Sequence, residues 1–199
     1  MRLAVLLSGR GSNFEAIHRA IEEKRLDATI VCVVSNRPSA PGIERAQQLG
    51  LPTHVVDHKT FPSREAHETA VQEILKEARP DFVALAGYMR LLSPSFIESF
   101  RNRILNIHPS LLPAFPGVDA QAQALVYGVR ISGCTVHFVD ETLDGGPIIV
   151  QRAVEVRDSD SAESLSARIL EQEHQAYVEA LEKLATTRWR IEGRRVVFE

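Results

Sequence analysis

The sequence has few cysteines and no long apolar run, and each shortage excludes a class of protein. Its 199 residues contain two cysteines, Cys32 and Cys134, without CxxC spacing. Two lone cysteines do not suggest a disulfide framework, and they favour a reducing compartment such as the cytoplasm. The apolar stretch that follows Met1 is too short for a signal-peptide core, and no later run reaches membrane-spanning length. We therefore expect a cytoplasmic protein without a membrane partner.

The excess of one charge sign over the other is also small. The formal net charge is −3, and the only basic block is the short stretch 188–195, so a broad nucleic-acid surface is not expected. A hydrophobic content of 44% suits one sizeable core, which predicts a single domain over residues 1–199. Its partners should be small molecules. The composition leaves open whether the chain is a monomer or a homodimer.

Short apolar runs alternate with helical periodicity through residues 1–100. The predicted strands of this half are 3–7, 29–34, 54–56 and 82–86. The predicted helices begin near Asn13, Gly42 and Ser63, and a short one follows Pro94. Fully apolar strands joined by helices indicate a Rossmann-like, mostly parallel sheet with helices on both faces.

The second half, residues 101–185, has a different strand pattern. Its predicted strands are 104–107, 134–139 and 148–156. A turn-rich acidic loop between the last two predicts an antiparallel hairpin, and a long helix should follow over about 161–184. The fold class is therefore α/β with antiparallel strands in the C-terminal half. In the C-terminal tail 186–199, residues 189–198 look like a small hairpin of no assigned role.

Asn106, His108 and Asp144 form a candidate catalytic group. Asn106 and His108 are two residues apart at the end of a predicted strand, so both should face the same side, and Pro109 should end the strand there. Asp144, followed by two glycines, could approach from a loop. An ordinary buried asparagine or core histidine would account for any one of them alone, but the three together favour a site.

A glycine loop, residues 8–13, lies between the first strand and the first helix. Its backbone N–H groups and the positive end of the helix dipole could hold a phosphate, with Ser12 and Asn13 capping the helix or binding phosphate oxygens. The loop matches a dinucleotide fingerprint only in part, because Phe14 replaces the third glycine. A nicotinamide enzyme that uses Arg37, and a plain tight turn, are the alternatives left open.

Other polar residues allow a functional and a structural interpretation. Glu173 lies on the inward face of the last helix and could bind sugar hydroxyls or form an internal salt bridge. His137 suits a core histidine equally well, so we leave it out of the catalytic group. His54 and His58 flank a strand end, and His67 has no matched partner on its helix, so a structural zinc is not expected. Arg64 and Arg90 could bind carboxylates or simply be solvated.

Five segments resemble those of the glycinamide ribonucleotide formyltransferases, a family of the formyltransferase superfamily. They are Ser-Gly-Arg-Gly-Ser-Asn at 8–13, Ala-Gly-Tyr-Met-Arg at 86–90, Asn-Ile-His-Pro-Ser-Leu-Leu-Pro at 106–113, Gly-Cys-Thr-Val-His-Phe-Val-Asp at 133–140 and Leu-Asp-Gly-Gly-Pro at 143–147. The likeness covers roughly residues 2 to 182. The last three segments are shared by the wider superfamily, whereas the glycine loop is narrower in its distribution. The resemblance implies the formyltransferase fold and a 10-formyltetrahydrofolate co-substrate, with no metal.

The resemblance also implies roles for particular residues. The phosphate and ribose of the ribonucleotide would be held by Gly11, Ser12, Asn13 and Glu173. The folate would contact Arg64, Met89, Arg90, Leu91, Leu92, Ile97, Ile104, Asn106, Val139 and Asp140. The apolar members of this second set could equally form core. One departure from the family pattern is Asp119 with Gln121, where many members have a histidine-containing segment, and their role is left open.

Formyl transfer creates an oxyanion and leaves an excess proton on the attacking amine. Asn106 and His108 would donate hydrogen bonds to the oxyanion, while Asp144 would orient His108 and relay a proton through water. A hydrolase that uses water as the acceptor would employ the same three residues. A transferase acting on another phosphorylated amine, and a non-catalytic phosphate sensor, are further alternatives.

Overall fold

The structure is a computed structural model that describes all residues 1–199. The chain divides into two compact units, Met1–Leu105 and Asn106–Glu199. Each unit contains strands of a mixed α/β fold, parallel in the first and largely antiparallel in the second, which confirms the predicted fold class. Among the helices, no stretch is both long enough and apolar enough to cross a membrane.

The first unit is a parallel βαβ series. Its strands are β1 (Arg2–Leu7), β2 (Thr29–Ser35), β3 (Thr53–Val55) and β4 (Phe82–Leu85), in the order β3-β2-β1-β4. Its helices are α1 (Ser12–Glu22), α2 (Pro41–Gln48), α3 (Arg64–Ala78) and α4 (Pro94–Ser99), with a 3₁₀ turn at His58–Thr60. Apart from Arg2, β1 is completely buried, as expected for a central strand covered on both faces.

Local sequence signals set the bounds of α3. The side chain of Ser63 accepts a hydrogen bond from the Ala66 backbone N–H at 3.2 Å and caps the helix N-terminus. Arg79 adopts a left-handed conformation directly after the last turn, and Pro80 follows it. The helix therefore begins where the sequence predicts and ends before Pro80.

The second unit contains an antiparallel ribbon and two helices. Its strands follow the order β5-β6-β7-β9-β8. They are β5 (Ile104–His108, whose first two residues belong to the first unit), β6 (Ile131–Phe138), β7 (Ile148–Glu155), β8 (Trp189–Glu192) and β9 (Arg195–Phe198). The helices are α5 (Ala120–Tyr127) and α6 (Ala162–Thr186). The β6–β7 pair and the β8–β9 pair are antiparallel, which confirms both predicted hairpins.

Two features of the second unit differ from the sequence prediction. Helix α5 was not predicted, because its residues Ala-Gln-Ala-Gln-Ala-Leu-Val-Tyr carry no amphipathic period, and only Ala120 and Ala124 are buried. Strand β6 begins three residues earlier than predicted. The small residues Ser132 and Gly133 conceal its start, although both are part of the ladder with β7.

Candidate active site

Strand β5 brings Asn106 and His108 to its carboxyl end on one face. Asn106 is half-buried and His108 is 4% exposed. The strand ends at His108, where Pro109 removes a ladder donor. The alternation of side chains along a strand places the two functional groups together, as the sequence predicts.

The imidazole of His108 lies between two acceptors of the second unit. Its Nε2 atom is 2.8 Å from the carbonyl oxygen of Phe115, and its Nδ1 atom is 3.4 Å from Oδ2 of Asp144. Only the doubly protonated ring can donate to both acceptors at once. The three predicted residues are therefore brought together, whereas their catalytic roles stay predictions.

Asp144 approaches from the loop between β6 and β7, as expected. Its Oδ2 atom accepts a hydrogen bond from the Gly117 backbone N–H at 2.8 Å, and its backbone has a positive φ of 49°. A side chain at Gly146 would overlap the carbonyl group of Phe138, so only glycine fits there. The glycine pair after Asp144 thus lets the loop pack closely enough to present the carboxylate.

His137, which the sequence analysis left out of the catalytic group, belongs to the same cluster. Its Nδ1 atom is 2.8 Å from the Phe138 carbonyl oxygen, and its Nε2 atom lies 3.4 Å from Nδ2 of Asn106. Burial lowers the pKa of His137 below its ordinary value, and its contacts suit a neutral ring with the proton on Nδ1. The Nε2 lone pair can then accept an N–H of Asn106, which orients the amide. Strand alternation places His137 on the same face of β6 as Thr135, but it does not indicate a partner on β5.

The glycine loop of the first unit leads directly into α1. The N-cap is Gly11, with a left-handed φ of 77°, and no side chain caps the helix. Ser12 and Asn13 therefore do not cap α1, because the helix begins at Ser12 itself, and the alternative that they bind phosphate stays a prediction. The lack of a side-chain cap keeps this helix end available to an anion.

Close packing holds the glycine loop in position. The α-carbon of Gly42 would lie 3.1 Å from a Cβ at Gly11, and the Gly42 N–H donates to the Gly9 carbonyl oxygen at 3.1 Å. At the start of the loop, the hydroxyl of Ser8 donates to the side-chain oxygen of Asn36 at 2.5 Å and accepts from the Met89 N–H at 2.8 Å. Small residues at both contact points are required for this approach of α2 to the loop.

The predicted folate residues differ in exposure. In the first unit Met89 is 70% exposed and Leu91 64%, Arg64 is exposed, and Arg90 and Leu92 are half-buried. Ile97 and Ile104 are buried core side chains, so their contact with a ligand stays a prediction. In the second unit Val139 and Asp140 are half-buried, and Asp140 accepts from the Thr142 N–H at 2.8 Å.

The segment that carries Met89 to Leu92 is anchored by Glu68, a residue that the sequence analysis did not single out. Glu68 is buried on α3, and its carboxylate accepts from both the backbone N–H (2.9 Å) and the hydroxyl of Ser93. Ser93 in turn caps α4 by accepting from the Phe96 N–H at 3.2 Å. One buried carboxylate thus holds the end of this segment against α3.

Three further residues of the second unit were singled out by sequence. Glu173 is buried on the inward face of α6, as predicted. Burial raises the pKa of the Cys134 thiol to about 12, and the nearby Glu173 carboxylate contributes to this rise. Asp119 is the N-cap residue of α5 with a φ of 56°, and its side chain makes no cap bond. Gln121 lies on the first turn and reaches Ser166 at 3.5 Å.

These contacts define what the cluster in the second unit can do. One amide N–H of Asn106 faces His137, which leaves a second N–H for a ligand oxygen. The Asp144 carboxylate can accept a proton or hold a protonated imidazole. Donation by His108 Nε2 to an oxyanion requires that the substrate oxygen replaces the Phe115 carbonyl as its acceptor. The arrangement is suited to stabilising an oxyanion and moving one proton.

Comparison with known proteins identifies relatives of the whole chain. The model of the formyl transferase family matches residues 1–181. A phosphoribosylglycinamide formyltransferase of Bacillus subtilis (strain 168) is 43% identical over 183 residues, which are 92% of this chain and 94% of that protein. The crystal structure of glycinamide ribonucleotide transformylase 1 from Symbiobacterium toebii matches with a TM-score of 0.97 and 48% identity, covering 100% of this chain and 93% of the other.

Larger relatives contain the same region as one part. A trifunctional purine biosynthetic protein of Drosophila pseudoobscura pseudoobscura is 49% identical over 187 residues, which are 93% of this chain. This chain spans only 14% of the length of that protein.

Proposed function

The chain belongs to the formyl transferase family, and within it to the phosphoribosylglycinamide formyltransferases; from this premise we propose that it transfers the formyl group of 10-formyltetrahydrofolate to the amine of 5-phosphoribosylglycinamide. The products are formylated ribonucleotide and tetrahydrofolate, in de novo purine biosynthesis. The observation that carries the proposal is the cluster of Asn106, His108 and Asp144, because formyl transfer needs oxyanion donors beside a proton acceptor.

The amine attacks the formyl carbon, and the carbonyl oxygen becomes an oxyanion. Asn106 donates its second N–H to this oxygen, while the neutral His137 holds the first N–H and fixes the amide plane. Loss of such a donor lowers kcat by ~10²–10³-fold, because the donor stabilises negative charge that develops only during the reaction.

His108 provides a second donor to the oxyanion, and Asp144 takes part in the transfer of the amine proton. The substrate oxygen takes the place of the Phe115 carbonyl and accepts the N–H of Nε2, while Asp144 keeps the Nδ1 proton in place. The excess proton of the attacking amine passes through water to the departing folate nitrogen, with the Asp144 carboxylate as the relay. The carbon–nitrogen bond to folate breaks as the electron pair of the oxyanion returns to the carbonyl.

The substrate contacts are assigned from the family resemblance. Gly11, Ser12 and Asn13 hold the phosphate at the N-terminus of α1, and Glu173 binds the ribose. The folate contacts Arg64 through its glutamate and the segment from Met89 to Leu92 through its ring. We further propose that the protein works in the cytoplasm as a monomer or homodimer, without nucleic-acid or membrane partners.

Spectrophotometric detection of the folate product, with and without the ribonucleotide, tests the proposal. Product should form only when both substrates are present, with formylated ribonucleotide in equal amount. Formate released from the donor alone would identify a hydrolase instead. No turnover with this amine, but turnover with another phosphorylated amine, would refute the substrate assignment while retaining formyl transfer.

A further inference from the structure

A cleft of about 450 Å³ opens in the first unit, and none of the residues discussed for catalysis or ribonucleotide binding lines it. It lies beyond the carboxyl ends of β2 and β3, the side on which open α/β sheets bind ligands. Its lining residues are Arg37, Pro38, Ser39, Asp57, His58 and Lys59.

The charges of the cleft favour an anion. Arg37 and Lys59 are exposed, and neither lies within ion-pair distance of a carboxylate. The one acidic group, Asp57, is already engaged: it accepts from the Lys59 backbone N–H at 3.0 Å and lies 3.8 Å from His58 Nδ1. The two side-chain cations are therefore the groups of the cleft that are left for a ligand.

Two histidines connect the cleft to Arg90, one of the proposed folate contacts. The rings of His58 and His67 meet edge to face at 6.4 Å between centroids. Burial is the main cause of the lowered pKa of His67, and the nearby charge of Arg90 lowers it further. Arg64 begins α3 only five residues after Lys59, and its one neighbouring carboxylate is 3.8 Å away. His58 and His67 thus connect the cleft to Arg90, while Arg64 follows Lys59 by five residues along the chain.

The cations Arg37 and Lys59 of the cleft, and Arg64 and Arg90 of the proposed folate contacts, have few carboxylates beside them. Such a group of cations suits a ligand that carries several regularly spaced carboxylates. Free phosphate would use one such position, whereas an oligomer of γ-linked glutamates presents one carboxylate per residue and could meet several. We propose that the cleft at Arg37 and Lys59 binds the second and later glutamates of a poly-γ-glutamylated folate donor. This inference rests on the proposed function, since it concerns the tail of the same co-substrate.

The test compares donors that carry one and five glutamates. In the wild type, KM should be lower for the pentaglutamate, and the advantage should shrink as ionic strength rises, because exposed charges are screened. The double variant Arg37→Ala/Lys59→Ala should raise KM for the pentaglutamate about 5-fold to 20-fold, as expected for two weak surface ion pairs. KM for the monoglutamate and kcat with either donor should not change.

Two further variants make the comparison decisive. Charge reversal in Arg37→Glu/Lys59→Glu should make the pentaglutamate a poorer donor than the monoglutamate. The matched control Arg45→Ala/Lys76→Ala removes the same charge from exposed positions of α2 and α3 and should leave the ratio of the two KM values unchanged. Thermal unfolding of each variant checks that the fold is retained.

Each remaining outcome overturns the inference. Equal KM values of the wild type for both donors, or an unchanged ratio in the double variant, would show that the tail does not use the cleft. An equal rise for both donors would assign the two cations to the general architecture of the site. Failure of the wild type to use either donor would instead refute the proposed function, so the two failures are distinguishable.

Discussion

Replacement of Asp144 by asparagine tests how the catalytic cluster works. The substitution keeps the shape of the side chain, and the amide oxygen can still accept the Gly117 N–H that Oδ2 accepts at 2.8 Å. What disappears is the negative charge 3.4 Å from His108 Nδ1. Loop geometry and ribonucleotide binding should therefore survive while the charge on the proton relay is lost.

The separation of the two groups sets the size of the effect. At 3.4 Å, Coulomb's law with an effective dielectric constant of ~20 gives roughly 5 kcal/mol for a carboxylate and a doubly protonated imidazole. Desolvation of two buried groups offsets part of this, which leaves about 3 kcal/mol. Since 1.4 kcal/mol corresponds to a factor of ten, kcat should fall by ~10²-fold.

The assay is steady-state formation of folate product, combined with calorimetric titration of the ribonucleotide. Asp144→Asn should lower kcat while the ribonucleotide Kd stays within about twofold of the wild type. Glu141→Gln, which removes an exposed charge from the same loop, is the matched control and should retain full activity. A kcat above one tenth of the wild-type value, or a parallel loss of ribonucleotide binding, would refute the assigned role.

Three other substitutions or conditions test separate parts of the structure. Gly42→Ala would place a Cβ 3.1 Å from two carbonyl oxygens of the glycine loop, so KM for the ribonucleotide should rise about tenfold with no change in KM for the folate; an unchanged KM would contradict the packing argument. Glu68→Ala removes the acceptor for two donors of Ser93 and should lower the free energy of unfolding by about 2–4 kcal/mol in denaturant titrations, and a loss below ~1 kcal/mol would show that the anchor is weak. Burial lowers the pKa of His137 and of His67 in the folded chain. As pH falls below ~6.5, these two histidines therefore bind protons more readily in the unfolded chain than in the folded one. The free energy of unfolding should therefore fall below that pH, less steeply in His137→Asn, and equal slopes would be evidence against a buried neutral histidine.

The elements with strong periodicity could be predicted from sequence. The strands of the first unit and the capped helix α3 were predicted with bounds within about two residues, since apolar runs, Ser63 and Pro80 carry local signals. Helix α5 was missed because an Ala and Gln run has no apolar face. The N-cap of α1 was assigned to the wrong residue because Ser and Asn are the usual caps, whereas close contact with Gly42 favours glycine here.

The candidate site could be predicted only where strand alternation carries the information. Asn106 and His108 follow directly from two-residue spacing on β5. His137 lies on a different strand, and its functional contact is a hydrogen bond to Asn106 across 31 positions of sequence. A single sequence holds no local sign of such a pairing. The same reason explains why Glu68 was missed, since its partner Ser93 lies 25 positions away.

The loops around Asp144 show why spacing alone could not reveal its second role. The carboxylate also accepts the Gly117 N–H, and so joins the β6–β7 loop to the segment after β5. Positive φ angles occur in both joined segments, at Phe115, Gly117, Asp119 and Asp144. Non-glycine residues hold such conformations only where surrounding contacts compensate for their cost. Asp144 supplies one of these contacts, so a substitution that removes its acceptor atoms, such as Asp144→Ala, should disturb the Phe115 carbonyl that faces His108, whereas Asp144→Asn should not. The difference between these two variants separates the charge of Asp144 from its role in holding the loops.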